Sequence, residues 1–174
     1  MVTVKLHNFL SGKKDAIINK WYEGVLKTYP AEAARFLREE KDRFANPVGY
    51  ALYEGMKGIY EELLRGLEPD RVDPWLDRII RIQAVQEFRP SQAVAFVFLL
   101  KQVVREELAA AAAERELPWG ELLEFEARVD ELAGLAFDGY MKCREELFAI
   151  RIKEIKNRTS RLLQRANLGV TIFE

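Results

Sequence analysis

The run of apolar residues from Ala93 to Leu100 constrains the fold of this chain more than any other segment. On a helix these side chains point in every direction, so the helix must be surrounded by other helices rather than lie on a surface. The run is far shorter than the roughly 20 apolar residues that a bilayer-spanning helix needs. The preceding segment, Phe88 to Gln92, is typical of a turn into a helix. Pro90 takes the first helical position, and Gln92 can bond back to the start as in a capping box.

The six prolines mark the boundaries of the other helices. Each stands where a helix would begin or a loop would turn, and none is expected to interrupt a helix. Asn46 can cap one helix that Gly66 closes, and Asp73-Pro74 is the predicted start of the next. Because no segment alternates as a strand would, the sequence predicts an all-α, single-domain helical bundle. Before the last helix, the predicted helices cover residues 8–28, 30–39, 47–66, 73–83 and 90–114.

Pro118 opens the last and longest periodic segment of the chain. Beyond Ile150 its apolar stripe narrows to a coiled-coil-like seam. If continuous to Arg165, this helix has roughly 45 residues and a length of about 65 Å, so it must extend past a domain of this size. The predicted division is therefore a helical domain over residues 1–150, and a basic linker helix with a short extended tail, Val170 to Phe173, over residues 151–174. The stripe comprises Leu122, Phe125, Val129, Leu132, Ala136, Tyr140, Cys143, Leu147 and Ile150, and the seam comprises Ile152, Ile155, Thr159, Leu162 and Ala166.

The charge of the chain is nearly balanced overall but polarised locally. The net charge is -1, which implies neither a general nucleic-acid surface nor an acidic tail. The linker helix has six basic residues against Glu154 alone, a local charge of +5: Arg151, Lys153, Lys156, Arg158, Arg161 and Arg165. These are candidate contacts for an acidic protein partner, while an ordinary solvated coiled-coil exterior remains the alternative. The apolar face is too narrow for membrane insertion, and no helix-turn-helix pattern points to nucleic acid.

Few residues of this chain could carry chemistry. The single histidine, His7, excludes a paired-histidine metal site and a conventional catalytic triad, and its terminal position argues against haem ligation. No phosphate-binding glycine motif occurs, and Gly55 and Gly58 are expected to permit close helix packing instead. The single Cys143 allows no internal disulfide and is expected to be a buried small hydrophobe. We therefore predict no enzyme activity, no metal and no cofactor, and the absence of a signal-peptide pattern favours a cytoplasmic location.

A ligand pocket is the alternative use of the central helices. Gln83 and Gln86 follow the apolar stripe of the fourth predicted helix, where they either face a cavity or bond neighbouring backbone. Phe88, Phe96 and Phe137 would supply the apolar walls of such a pocket. This interpretation predicts a helical carrier or storage protein for a small apolar ligand or haem.

Three sequence blocks carry a family resemblance: Phe44 to Tyr50 (FANPVGY), Arg81 to Gln86 (RIQAVQ), and Phe88 to Lys101. With these residues the chain resembles the RsbRD N-terminal domain family, named for the co-antagonists of the stress-response switch kinase RsbT. The resemblance implies an all-helical sensory domain, similar to the non-haem globin-like domains of RsbR, that is joined through its last helix to an output module. That module is commonly a STAS domain or a histidine kinase. Arg89 departs from the small capping residue expected at its position.

The sequence leaves no room for such an output module after the linker helix, which favours a stand-alone sensory or regulatory module. We expect it to act without catalysis, by forming a parallel or antiparallel homodimer and by contacting a signalling protein. The dimer seam is predicted at Ile152, Ile155, Thr159 and Leu162. Retention of a stoichiometric ligand in native mass spectrometry would favour the carrier instead.

Overall fold

Seven helices form the described part of the chain, which in this computed structural model comprises residues 5–111 and 118–166. No strand occurs in these two ranges, and the all-α prediction is confirmed. The predicted extended tail at Val170 to Phe173 lies outside the described residues. The helices are α1 (Leu6–Gly12), α2 (Lys14–Leu26), α3 (Ala31–Glu39), α4 (Pro47–Arg65), α5 (Pro69–Val85), α6 (Pro90–Ala111) and α7 (Trp119–Arg165).

Both predicted ends of α4 and the predicted start of α6 are confirmed in atomic detail, while the predicted end of the α6 segment at residue 114 lies outside the described residues. The Asn46 side-chain oxygen accepts a hydrogen bond of 2.8 Å from the backbone N–H of Gly49, which caps the start of α4. At its other end Gly66 adopts a φ of 123°, a conformation in which a side chain would be strained. The Gln92 side chain turns back to accept from the Arg89 N–H at 3.1 Å, as in a capping box.

Two helix boundaries differ from the prediction. The first predicted helix is divided at Lys13 into α1 and α2, next to Gly12, whose low helix propensity favours such a break. The expectation that no proline interrupts a helix is wrong for Pro74, because α5 begins at Pro69 and continues through it. Pro74 is exposed and sits near the helix start, so the carbonyl that loses its intrahelical partner, that of Asp70, is also on an exposed residue.

Close packing of α4 on α5 explains two glycines. A Cβ atom at Gly58 would lie 2.2 Å from the ring of Trp75, and one at Gly55 would lie 2.9 Å from Ile79. Either distance is shorter than any real contact between such atoms allows. The predicted role of Gly55 and Gly58 in helix packing is therefore confirmed.

The core is one cluster of buried apolar side chains to which all seven helices contribute. Helix α6 packs between α2 and α7. Its apolar run is not enclosed on every side as predicted, since Phe98 is 48% exposed on the outer face while Phe96, Val97 and Leu100 are buried. The reason is that α6 has neighbours on two main faces rather than all around. None of the described helices is long and apolar enough to cross a membrane.

Candidate functional site: the projecting helix and the turn that contacts it

The C-terminal part of α7 projects from the helical body. Cys143 is the last buried residue of this helix, and Leu147 is the last that packs against the core. From residue 148 to residue 165 no side chain is buried. These residues, which we call the projecting segment, extend about 27 Å at 1.5 Å per residue. The prediction of a continuous helix of about 45 residues that leaves the domain is confirmed, since α7 has 47 residues.

The predicted seam lies on one side of the projecting segment. Ile152 is 54% exposed, Ile155 63% and Leu162 64%, with Thr159 half-buried between them. Phe148, Ile155 and Leu162 recur every seven residues, which is the period of a helix in a coiled coil. The seam therefore has the spacing and the exposure that a second helix requires.

Basic side chains flank this seam. All six predicted partner-contact residues are exposed: Arg151, Lys153, Lys156, Arg158, Arg161 and Arg165. Three of the arginines are themselves seven residues apart and so form a row beside the apolar one. The row carries its positive charge along the whole length of the projecting segment. Its first member, Arg151, contacts the carboxylate of Glu87 on the α5–α6 turn.

The α5–α6 turn, residues 86–89, is the part of the body that contacts the start of the projecting segment. Glu87 adopts a φ of 59°, which is uncommon for a residue with a side chain. The turn closes the end of α5, because the Glu87 N–H bonds to the Ala84 carbonyl and the Phe88 N–H bonds to the Gln83 carbonyl, both at 3.1 Å. Its shape is therefore set by backbone hydrogen bonds of α5.

Two side chains of α7 hold this turn. The hydroxyl of the buried Tyr140 donates to the carbonyl oxygen of Phe88, and the Arg151 guanidinium pairs with Glu87. Tyr140 and Arg151 are three helical turns apart, so one contact lies in the core and the other at the edge of the body. Sequence reasoning missed both contacts because each joins residues more than 50 positions apart and neither has a sequence signal.

Of the five ligand-pocket candidates, Gln86 and Phe88 both contact Tyr29, and the other three lie in different settings. Gln83 is 2% exposed, and its side-chain oxygen has no hydrogen-bond partner among the described residues. Gln86 is exposed and accepts a 3.0 Å hydrogen bond from Tyr29. Phe88 packs on the Tyr29 ring, Phe96 stacks on Trp21 in the core, and Phe137 is 45% exposed on α7. Four of the cavities between the described helices, of about 180 to 390 Å³, are lined by other residues. That the chain is a carrier or storage protein for a small apolar ligand or haem stays a prediction.

The other sequence candidates for chemistry are placed as follows. Cys143 is buried, and this burial raises the pKa of its thiol and so disfavours the reactive thiolate. His7 is exposed on α1 and lies near Glu121, Glu124 and Arg128. Within residues 5–111 and 118–166, no group of three or more histidine, cysteine and acidic side chains could hold a metal ion.

One of the comparisons with known proteins, the family match, agrees with the signalling interpretation. The family described as "RsbT co-antagonist protein rsbRD N-terminal domain" matches residues 15–155, from α2 into the projecting segment. An uncharacterized protein of Archaeoglobus fulgidus is 26% identical over 146 residues, which cover 79% of this chain and 82% of the relative. No solved structure matches the chain. The globin-like arrangement therefore stays a prediction.

Proposed function

We propose that this chain, which belongs to the RsbT co-antagonist protein rsbRD N-terminal domain family, is a sensory signalling domain whose output passes through its projecting segment. The family is one of stress-signalling regulatory domains. The observation that carries the proposal is the exposure of an apolar seam, with a basic row beside it, on a helix that has left its own core. Residues with no role in folding the body are free to contact another molecule.

The apolar part of the projecting segment is proposed to pair with the same segment of a second copy. Exposed apolar residues at heptad spacing on a projecting helix are stabilised when another helix covers them. The seam would consist of Ile152, Ile155, Thr159 and Leu162, and a homodimer in either helix orientation would bury it. Pairing along this seam would leave the outer basic side chains accessible.

The basic part is proposed to contact an acidic surface of a signalling protein. Charge complementarity accelerates association and selects partners, even where it adds little to affinity. The α5–α6 turn would connect the core to the projecting segment. It contacts α7 in the core at Tyr140 and again at the start of the projecting segment at Arg151. A change in the core that moved this turn would change how the projecting segment is held.

The dimer is tested by sedimentation of the wild type and of Ile155→Asp. We expect a wild-type dimer at micromolar concentration and a dissociation constant raised at least about tenfold by the buried charge. Asn157→Asp is the matched control, because Asn157 is exposed on the same segment but lies off the seam. A wild-type monomer at this concentration would exclude the proposed dimer.

Partner contact is tested by reversing three basic charges on the projecting segment. The triple variant Lys153→Glu, Arg158→Glu and Arg161→Glu should remain helical but lose the proteins that the wild type captures from host lysate, as identified by mass spectrometry. The control reverses three exposed basic residues of the body: Lys27, Arg43 and Lys142. Capture of the same proteins by the first variant at the same salt concentration would mean that Lys153, Arg158 and Arg161 are only solvated surface.

A further inference from the structure

We infer that a cleft formed by α2, α4 and the α3–α4 connection binds a small aromatic carboxylate. The cleft has a volume of about 250 Å³. Pockets for drug-sized ligands begin at roughly 300 Å³, so this one suits a molecule with a single ring. It lies away from the projecting segment and from all five ligand-pocket residues that the sequence predicted.

Tyrosine rings form the walls of the cleft. Tyr22 is 8% exposed and meets the ring of Tyr53 edge to face, with 5.4 Å between the ring centres. Tyr50 is 46% exposed and precedes Tyr53 by one helical turn on α4. All three residues line the cleft. Aromatic walls of this kind bind flat apolar groups through ring packing, which favours a planar ligand.

The floor of the cleft is held by Asn46, whose side-chain nitrogen and oxygen both form hydrogen bonds within the chain. Asn46 is 3% exposed, and its side-chain nitrogen donates to the carbonyl oxygens of Leu37 and Glu40 at 3.2 and 3.0 Å. Its oxygen accepts from Gly49, and a Cβ atom at Gly49 would lie 2.3 Å from the Asn46 side chain. The FANPVGY block thus fixes the α3–α4 connection against α4 and gives the cleft its shape before any ligand arrives.

The polar groups that remain free in the cleft are mainly hydrogen-bond donors. The Tyr22 hydroxyl already donates to the Leu37 carbonyl at 3.1 Å, and the Tyr53 hydroxyl donates to Asn19 at 3.0 Å. Within the described part of the chain, the Lys41 ammonium group and the Tyr50 hydroxyl have no such partner.

The carboxylate of Glu40 also lies at the rim, and one of its two oxygens already accepts a hydrogen bond. One carboxylate oxygen of Glu40 accepts from the Asp42 N–H at 2.8 Å. Among the described residues the other carboxylate oxygen of Glu40 has no hydrogen bond, so the rim carries one negative and one positive charge. Because the Lys41 ammonium group is unpaired there and donors outnumber acceptors, the cleft matches a ligand that brings acceptors and negative charge. A ring held between the tyrosines with its carboxylate towards Lys41 satisfies both the walls and the rim.

The test compares three ring compounds of similar size and different charge. Benzoate, the neutral benzamide and the cationic phenyltrimethylammonium are titrated into the full chain, and backbone amide NMR signals of Gly49 and Tyr50 are followed. Benzoate should bind with a dissociation constant of about 1 mM or below, and benzamide at least about tenfold more weakly, because it lacks the charge.

Variants of the rim locate the carboxylate. Lys41→Gln should weaken benzoate binding about tenfold, whereas Lys142→Gln, a matched change on the exposed side of α7, should not alter it. Glu40→Gln should strengthen benzoate binding, since it removes a like charge. Tighter binding of phenyltrimethylammonium than of benzoate, weakened by Glu40→Gln, would overturn the assignment in favour of a cation. The absence of any NMR shift at about 10 mM benzoate, roughly ten times the expected dissociation constant, would also overturn the assignment.

The binding measurement involves neither the dimer nor a protein partner, so the inference and the proposed function can fail separately. Only the role of the ligand as the signal rests on the proposed function. A chain that binds benzoate in the cleft but captures no partner retains the binding site and loses the signalling role.

Discussion

The two ends of α7 are parts of one unbroken helix, but only the first has a core to pack against. Between residues 119 and 147, side chains of an apolar stripe are buried at nearly every turn, from Leu122 to Cys143. Between residues 148 and 165 none is buried, although Ile152, Ile155 and Leu162 are as apolar as the residues before them. The helical backbone therefore continues where no core covers it, whereas burial depends on what the rest of the chain supplies.

This difference shows where function can be placed at little cost to the fold. A residue of the buried stripe contributes to the stability of the body, so its substitution affects everything that depends on folding. The exposed apolar residues of the projecting segment are expected to contribute little to the stability of the monomer, so their substitution tests contacts with other molecules. The same helix thus connects a part that is constrained by packing to a part that packing against the core does not constrain.

Truncating one apolar residue in each part should give the largest contrast. Leu132→Ala removes a side chain that is 0% exposed and should lower the free energy of unfolding by about 2 to 5 kcal/mol. Ile155→Ala, at a site 63% exposed, should change it by no more than about 0.5 kcal/mol in the monomer. Urea unfolding at submicromolar protein concentration measures both. Equal losses would show that the projecting segment packs on its own body, contrary to the structure.

A second test weakens the contact between the body part of α7 and the α5–α6 turn. Tyr140→Phe removes the hydroxyl that donates to the Phe88 carbonyl, and the unpaired acceptor should lower the free energy of unfolding by about 1 to 3 kcal/mol. Tyr50→Phe is the control, because its hydroxyl has no partner within the described residues. Hydrogen exchange at Glu87 and Phe88 should accelerate in the first variant alone. Unchanged exchange would mean that the turn is held without Tyr140.

The helices of this fold could be predicted because their signals are local. Asn46-Pro47, Gly66 and Gln92 act within one helical turn of their own positions, and the structure shows each in its predicted role. Pro74 was misassigned because two prolines, Pro69 and Pro74, stand close enough that either satisfies the rule for a helix start. In the structure α5 begins at Pro69, and Val72, which lies between the two prolines, is already packed in the core.

The candidate sites could be predicted only in part, for the opposite reason. The seam and the basic row lie on one helix, so periodicity alone identifies them. The cleft combines Tyr22 from α2 with Tyr50 and Tyr53 from α4 and with Lys41 from a connection, and no sequence pattern brings these together. The phenylalanines predicted for a pocket stay a prediction; Phe96 meets Trp21 and Phe88 meets Tyr29, as apolar residues of a helical core face many different neighbours.

Acidification should remove the stability that the ion pair between Arg105 and Glu126, in the body part of α7, contributes. Hydrogen bonds from Arg105, together with its charge, lower the pKa of the nearly buried Glu126 against the opposing effect of burial. A lowered pKa in the folded state contributes stability above the unfolded value of about 4.3, and this contribution is lost as the pH falls. Glu126→Gln should therefore cost up to about 1 kcal/mol at pH 7, discounted for the solvent around Arg105, and little at pH 3. A cost that is constant with pH would exclude this ion pair as its cause.

The smallest effect is expected where the projecting segment meets the turn. Arg151 and Glu87 are 53% and 68% exposed, so solvent screens their pairing, and Arg151→Gln should lower the free energy of unfolding by less than about 0.5 kcal/mol. The turn should keep its shape, because the Glu87 and Phe88 N–H groups remain bonded to α5. Urea unfolding measures the stability, and backbone amide NMR of residues 86–89 measures the turn. A loss above about 1 kcal/mol would mean that the projecting segment helps to fold the body. The two parts of α7 would then be coupled through Arg151 as well as joined by one backbone.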